Sequence, residues 1–240
     1  MRRVTDRDEL LDGPLDDAAT LRGNLRDLAR VNRHLGGAAL SIRAVEALAG
    51  DTSDLTILDV GTGAADIPLA MLDHAGRSGR SWRVTGVDSR PEVLEAAVRV
   101  DARLTSTPGL ELTVGDGHHL PFEDDAFDIA HASLVVHHLD PQGVDRLLHE
   151  MVRVSRRGVV VNDLVRSRLN LIGARILATV ATRNRYTRND GPLSVARAYT
   201  RDEMGRILAT AGLEIVATLD GFASHRVAVA AVDAQPGDRA

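Results

Sequence analysis

Short apolar segments alternate with helix-forming segments through the middle of the chain, and this alternation limits the fold more than any other feature. The segment 55–60 is almost continuously apolar, which is typical of a strand covered on both faces of a sheet. Strands that alternate with helices form parallel sheets with right-handed crossovers, so the pattern predicts an α/β fold with a doubly wound, mostly parallel sheet. The five strands that we predict for this sheet are 55–60, 82–87, 110–114, 127–136 and 158–162.

Both ends of the chain depart from this alternation. Residues 1–50 contain two helical segments separated at Gly36-Gly37, and we expect them to form a helical lid. Residues 213–219 and 225–232 predict an antiparallel C-terminal hairpin. We therefore expect one domain over residues 51–234, followed by a disordered tail at 235–240.

A helical insertion is predicted at about 164–199, after the fifth strand. Residues 168–182 are apolar on more than one face of a helix, which is typical of a helix that covers an apolar pocket or is simply packed in the core. Residues 183–198 predict a loop, and a further helix is predicted over 201–211.

The composition excludes several kinds of chemistry. The chain has 240 residues and no cysteine, and its 29 basic residues are all arginine. Disulfides, cysteine zinc sites, a pyridoxal Schiff base and a lysine base are therefore ruled out. A net charge of −5 and only six aromatic residues argue against a nucleic-acid partner. We expect a cytoplasmic protein without a membrane span, because no apolar run reaches the roughly 18 residues required.

A glycine turn follows the first predicted strand and is flanked by acids. Gly61 lets the backbone turn sharply, and Gly63 lets it approach a ligand closely. Such a turn alone can also serve only to connect a strand to a helix. Asp59 and Asp66 would repel a pyrophosphate, and Asp66 stands where a dinucleotide fingerprint has its third glycine. The turn therefore suits a ligand with a cationic group better than a nicotinamide dinucleotide.

Two further acids end the second and third predicted strands. Asp88 can accept hydrogen bonds from both hydroxyls of a ribose, or it can cap the following helix. Asp116 lies between Gly115 and Gly117, where it suits an adenine amino group or an ordinary turn. Ligands of open parallel sheets bind outside the carboxyl ends of the strands, so Asp59, Asp88 and Asp116 are expected to meet at one edge.

These stretches together resemble the class I S-adenosylmethionine-dependent methyltransferases. The chain is similar to small-molecule members of that family, including those of bacterial secondary metabolism and quinone biosynthesis. The resemblance implies a Rossmann-like methyltransferase fold and S-adenosylmethionine as the cofactor. One departure is Ala65, which stands where a third glycine is common. The matching segments are Ile57–Gly63, Val87-Asp88, Gly115–Gly117, Leu120–Asp128 and Val135–Leu139.

The resemblance also implies which residues hold the cofactor. Gly61 and Gly63 would line its methionine end, and Asp88 would hold its ribose. Asp116 would lie beside the adenine. Arg33 would reach the cofactor carboxylate or would only cover the sheet. The full set of implied cofactor residues is Arg33, Asp59, Gly61, Thr62, Gly63, Asp88, Ser89, Asp116, Gly117, His118 and Ser133.

Two adjacent histidines are the candidates for activating the methyl acceptor. His137 and His138 follow the fourth predicted strand, and an imidazole can take a proton near neutral pH. Alternatively, one packs against the sheet and the other bonds a loop. We expect no metal, because magnesium prefers oxygen ligands and these positions offer imidazoles. Further residues predicted to contact the substrate are Asn162, Asp163, Arg166 and Tyr186.

The sequence thus predicts an enzyme that methylates a small molecule. The favoured acceptor is apolar or aromatic, such as a polyketide, a phenol or a quinol, and oxygen is favoured over carbon as the reacting atom. The oligomeric state is left open. Three rival functions also remain open: an NAD(P)-dependent oxidoreductase, a protein of the same fold that binds the cofactor without methylating, as a binding module or rearrangement catalyst, and an RNA methyltransferase.

Overall fold

Seven strands form one sheet in the part of the chain that the computed structural model describes, residues 1–15 and 17–234. They are β1 (Asp54–Val60), β2 (Ser81–Asp88), β3 (Leu110–Val114), β4 (Phe127–Ser133), β5 (Ser155–Leu164), β6 (Leu213–Asp220) and β7 (Arg226–Asp233). Their order is β3-β2-β1-β4-β5-β7-β6. The first five are parallel, and β7 runs antiparallel to both β5 and β6. The predicted doubly wound sheet with a C-terminal hairpin is confirmed, whereas the predicted tail at 235–240 lies outside the described residues.

Helices cover both faces of this sheet. They are α1 (Ala18–His34), α2 (Gly37–Ala49), α3 (Asp66–Arg77), α4 (Pro91–Val100), α5 (Pro141–Arg153), α6 (Arg168–Val180), α7 (Arg185–Arg197) and α8 (Arg201–Thr210). The predicted break between the first two falls at Gly36, whose φ of 78° no regular helix adopts. None of the helices described is long and apolar enough to cross a bilayer.

The second N-terminal helix packs directly onto the sheet. Leu40 and Val45 of α2 share one buried cluster with Ile57 of β1 and Ile129 of β4. On the opposite face, α5 and α8 cover the strands, with side chains such as Leu147 in a second cluster. Burial of one such side chain contributes about 1.5–3 kcal/mol. Both faces are therefore closed, and the carboxyl ends of β1 to β5 remain as the edge where a ligand can bind.

The prediction of a loop at 183–198 was wrong, because most of this segment forms the helix α7. Asn184 caps α7 by accepting hydrogen bonds from two backbone N–H groups. Pro192 lies inside the helix and offers no N–H group, which weakens a helix. Tertiary packing outweighs this cost, since Tyr186 is buried in one cluster with Leu25 of α1.

The fourth strand is shorter than predicted. β4 ends at Ser133, because Leu134 has a φ of 59°, which a strand does not tolerate. A short 3₁₀ turn over Val136–His138 follows. This turn places both predicted catalytic histidines at the carboxyl edge of the sheet.

Candidate functional site

The glycine turn lies at the carboxyl end of β1 in a left-handed backbone conformation. Gly61 and Gly63 have φ values of 70° and 53°, and Ala65 follows at 51°. A Cβ on Gly61 would lie 2.5 Å from Val135 Cγ2, whereas a Cβ on Gly63 would meet nothing closer than 3.9 Å. Gly61 is therefore required by sterics, and the space in front of Gly63 is open to a ligand.

Asp88, at the end of β2, is bonded to this turn. One carboxylate oxygen accepts the N–H of Gly63 at 3.0 Å, and the other accepts the N–H of Arg90 at 3.1 Å. Helix α4 has no side-chain cap, so Asp88 does not serve as one, and Ser89 is exposed. Burial raises the pKa of Asp88 and of Asp66. A nearby positive charge favours the ionised form of a buried carboxylate, so a cationic ligand would be stabilised beside these two groups.

The loop after β3 holds two of the residues predicted at the adenine end. Asp116 is exposed and accepts the N–H of His118 at 2.9 Å. A Cβ on Gly117 would lie 3.0 Å from Val60 Cγ1, so a side chain there would require its neighbours to shift. His118 Nε2 and, at the end of β4, Ser133 Oγ are buried without a hydrogen-bond partner among the described residues. Such atoms are uncommon in folded proteins, so they mark positions where a ligand can bond.

A buried chain of polar side chains connects the glycine turn to α2. His131 of β4 donates from Nδ1 to Asp59 at 2.6 Å, and its Nε2 lies 2.8 Å from the hydroxyl of Ser41. Asn162 donates its amide to that hydroxyl at 2.8 Å, and the hydroxyl of Thr62 donates to Asp59 at 2.7 Å. These hydrogen bonds fix the Asp59 carboxylate beneath the glycine turn.

Helix α1 presents Asn32 to this edge, and Arg33 points elsewhere. Asn32 is buried and donates to the Asp66 carboxylate at 3.0 Å, whereas Arg33 is exposed. Asn32 lies seven residues after the buried Leu25, which is two turns of a helix. The apolar stripe of α1 could therefore have identified Asn32 from the sequence.

A buried arginine at the same edge was missed by the sequence analysis. Arg226, the first residue of β7, is only 1% exposed. Burial lowers the pKa of its guanidinium to about 10, against the opposing charges of Asp163 and Asp66. Its Nε and Nη1 atoms have no hydrogen-bond partner within the described part of the chain. The one available signal was an arginine at the start of an otherwise apolar strand.

The two histidines predicted as catalytic are surrounded by carboxylates. His137 donates from Nδ1 to Asp163 Oδ1 at 2.7 Å, and His138 Nδ1 lies 2.9 Å from Asp12 Oδ1. Glu9 faces both rings, with its oxygens 3.7 Å from His137 Nε2 and 3.9 Å from His138 Nε2. Burial raises the pKa of Glu9 to about 7. Glu9 is distant in sequence, and no local pattern pointed to it.

The structure places the four residues predicted to contact substrate in different surroundings. Asp163 lies beside the two histidines and accepts the Nδ1–H of His137. Arg166 donates to the carbonyl of Ala198 at 2.6 Å, and Asn162 donates to two groups of α2. Tyr186 is buried between helices. All four side chains are thus engaged within the protein, Asp163 included, since it accepts from both the backbone and the ring of His137.

The first fifteen residues, called the strap below, lie across the carboxyl edge of the sheet. Arg3 donates to the carbonyl of His137 at 3.1 Å, and Asp190 of α7 accepts two backbone N–H groups of the strap. Arg90, close to Asp88, donates to two strap carbonyls. The strap therefore extends from the histidine turn to the end of β2 and covers the site between them.

Comparisons with known proteins agree with this geometry. Residues 57–158 match the methyltransferase domain family. The demethylmenaquinone methyltransferase of Desulfitobacterium hafniense is 29% identical over 124 residues, which are 52% of this chain and 46% of that protein. The chain spans less than half the length of the curated relatives it matches, 31% of one and 46% of the other.

Solved structures share the fold at low sequence identity. A family 2 O-methyltransferase of Planctomyces limnophilus in complex with apigenin superposes with a TM-score of 0.66 at 20% identity, over 91% of this chain and 62% of that one. An S-adenosylmethionine-dependent methyltransferase of Aquifex aeolicus gives a TM-score of 0.61 at 18% identity, over 88% of this chain and 97% of that one. Residues 57–158 thus match a methyltransferase domain, and the fold that carries them is shared with these solved methyltransferases.

Proposed function

We propose that the chain transfers a methyl group from S-adenosylmethionine to a small apolar or aromatic acceptor, with oxygen favoured over carbon as the reacting atom. The proposal rests on the carboxyl edge of the sheet. This edge carries the open glycine turn, the Asp88 carboxylate and two buried atoms without hydrogen-bond partners among the described residues. A nucleoside with a positive sulfonium centre has hydroxyls for the carboxylate and a charge that the surrounding acids favour.

The residues at this edge fit that cofactor. Asp88 keeps lone pairs free beyond its two backbone bonds, so it can accept from ribose hydroxyls. Gly63 leaves room for the methionine end. Ser133 Oγ and His118 Nε2 would gain the partners that they lack. Asp116, which is exposed at the loop after β3, can accept from an adenine amino group.

The acceptor would be activated at the histidine turn. The bound cofactor supplies an activated methyl group, so the chain has to align the acceptor and help it lose a proton. Asp163 holds the Nδ1–H of His137, which leaves a lone pair on Nε2. A phenol has a pKa of about 10, and a group that favours its deprotonated form accelerates its methylation. We therefore place the acceptor oxygen beside His137 and His138.

Apolar surface close to this edge supports an apolar acceptor. Helix α6 begins directly after β5 and leaves Leu169, Ile172, Ile176 and Val180 exposed along one side. One relative is named as a demethylmenaquinone methyltransferase, and one similar structure contains apigenin. Both names are consistent with a quinol-like or phenol-like acceptor for this chain. A cytoplasmic location and the lack of a nucleic-acid partner stay predictions from the sequence.

Two measurements test the proposed function. Calorimetric titration with S-adenosylmethionine and S-adenosylhomocysteine should show binding of both. Incubation with a panel of phenols and quinols should then release S-adenosylhomocysteine. Absence of heat with either compound contradicts the proposal, and retention of NAD(P) in their place would favour an oxidoreductase. Binding without turnover on any acceptor would favour the binding module or rearrangement catalyst.

The histidine turn has its own test. His137→Ala and His138→Ala should leave cofactor affinity unchanged, because neither ring contacts the glycine turn or Asp88. At least one should slow turnover by about 100-fold or more if acceptor activation depends on it. His149→Ala, on the exposed side of α5, is the control. Normal turnover in both variants would show that the acceptor is not activated by these histidines.

A further inference from the structure

We infer that Glu9, His137 and His138 bind a divalent transition-metal ion of the zinc type. Each of the three side chains offers one donor atom, and these atoms all lie within 4.8 Å of one another. The expectation of no metal rested on magnesium and on residues that follow the strands, whereas Glu9 lies on the strap and meets the histidines only in the folded chain.

The distances between the donor atoms are slightly longer than those of ligands around an ion. Glu9 Oε1 lies 3.7 Å from His137 Nε2, and Glu9 Oε2 lies 3.9 Å from His138 Nε2. Both separations exceed a hydrogen bond. Ligands at about 2.0–2.2 Å from a tetrahedral zinc are separated from one another by roughly 3.3–3.6 Å. A small contraction of the three side chains would therefore complete the coordination.

A second carboxylate lies beside Nδ1 of each histidine, as is common for histidines that bind a metal. Asp163 accepts the Nδ1–H of His137 at 2.7 Å, which fixes the tautomer and leaves on Nε2 the lone pair that a metal requires. Asp12 Oδ1 lies 2.9 Å from Nδ1 of His138. In both rings the nitrogen that faces Glu9 is thus the one away from the second carboxylate.

Burial gives independent support. Glu9 is 4% exposed and His137 is 2% exposed, and Glu9 Oε1 has no hydrogen-bond partner among residues 1–15 and 17–234. A carboxylate oxygen buried without a partner is costly, and a cation would remove that cost. His138 remains 23% exposed at its side chain, so solvent or substrate can reach one side of the ion.

The donor set selects the kind of metal. Two imidazoles and one carboxylate suit Zn²⁺, Co²⁺ or Fe²⁺, whereas Mg²⁺ prefers oxygen ligands and water. Three protein ligands leave at least one position open, as in catalytic zinc sites. The ion would tie the strap to the histidine turn. On the proposed function, the open position would bind the acceptor oxygen, and the histidines would act on it through the ion and not as bases.

Cobalt binding by the full chain tests the site directly. The purified protein is treated with a chelator, dialysed and titrated with Co²⁺, whose visible absorption reports a low-coordinate site with nitrogen ligands. We expect one equivalent per chain, displaced by Zn²⁺. Glu9→Gln and His138→Ala should each weaken binding by at least about 10-fold, in line with loss of one ligand. His149→Ala is the matched control, since His149 is a surface histidine 3.6 Å from the carboxylate of Asp145.

Thermal unfolding in the same samples separates loss of a ligand from loss of the fold. Zn²⁺ should raise the Tm of the wild type and of His149→Ala, because an ion bound only to the folded state stabilises it. It should not raise the Tm of Glu9→Gln, whose metal-free Tm should remain close to that of the metal-free wild type. Unchanged cobalt binding in Glu9→Gln, or absorption lost only in His149→Ala, would overturn the inference. A chain that binds S-adenosylmethionine but no cobalt would leave the proposed function standing and remove the metal alone.

Discussion

At the scale of single residues, the Asp88 carboxylate holds the glycine turn and is also the group that we propose binds the ribose. Its bonds to the backbone of Gly63 and Arg90 hold the turn against the end of β2. On this proposal, a substitution of Asp88 should affect both the ordering of the turn and the affinity for the cofactor.

Asp88→Ala should weaken S-adenosylmethionine binding by about 1–3 kcal/mol, because hydrogen bonds to a charged group are lost. Calorimetry gives the affinity, and a thermal melt gives the accompanying loss of stability. The matched control is Asp54→Ala, which removes an exposed carboxylate from the opposite end of β1. Equal affinity in wild type and Asp88→Ala would show that the ribose binds elsewhere.

Two arginines are candidates for binding the carboxylate of the proposed cofactor. Arg33 was implied by the resemblance but is exposed, whereas Arg226 is buried with two unpaired donor atoms. Arg226→Met should therefore weaken S-adenosylhomocysteine binding by roughly 10-fold or more, the magnitude of one lost charged hydrogen bond. Binding of methylthioadenosine, which lacks the carboxylate, should change little. If Arg33→Met shows this pattern and Arg226→Met does not, Arg33 binds the carboxylate, as the resemblance implied.

At the scale of elements, α8 and the strap are each held by the contacts of one carboxylate. Helix α8 begins with a capping box in which Thr200 and Glu203 bond each other's backbone. Arg166 adds an ion pair to Glu203 at 2.7 Å. The strap, by contrast, is anchored through Asp190, which accepts the N–H groups of Leu10 and Leu11.

The ion pair between Arg166 and Glu203 should make the free energy of unfolding depend on pH under acidic conditions. Burial alone would raise the pKa of Glu203, but the hydrogen bonds and charge of Arg166 and the capping bonds of Thr200 lower it to about 2. The unfolded chain therefore binds a proton first, near pH 4.5, and stability is lost as the pH falls from there through about 2. Denaturant unfolding should show a smaller loss over this window in Glu203→Gln. Glu214→Gln, exposed on β6, should behave as wild type.

Removal of the strap anchor should loosen the N-terminal segment. Asp190→Ala leaves two backbone N–H groups without their acceptor, at a cost of about 1–3 kcal/mol. We expect a Tm lower by several degrees for a domain of this size. Limited proteolysis should cleave within the first fifteen residues faster than in wild type. Cleavage confined to other regions would show that the remaining contacts, such as Arg3 to His137, suffice to hold the strap.

At the scale of the whole molecule, the sheet was predictable because its signals are local. The run 55–60 with its glycine turn, and the acids after the next two strands, identify both the sheet and its binding edge. The contacts of Glu9 and Arg226 were not predictable, because their partners are distant along the chain and meet them only after folding. The loop prediction over α7 failed for the same reason, since its packing against α1 outweighs the local cost of Pro192.

The strap has a consequence for how the protein is made. Its backbone is hydrogen-bonded to α7, where the carbonyl of Ala196 accepts the N–H of Val4 at 3.1 Å. The strap precedes α7 in the sequence, so it is synthesised before the helix that binds it. Contacts between such distant segments form slowly. The strap therefore lacks these hydrogen bonds during synthesis until α7 has been made.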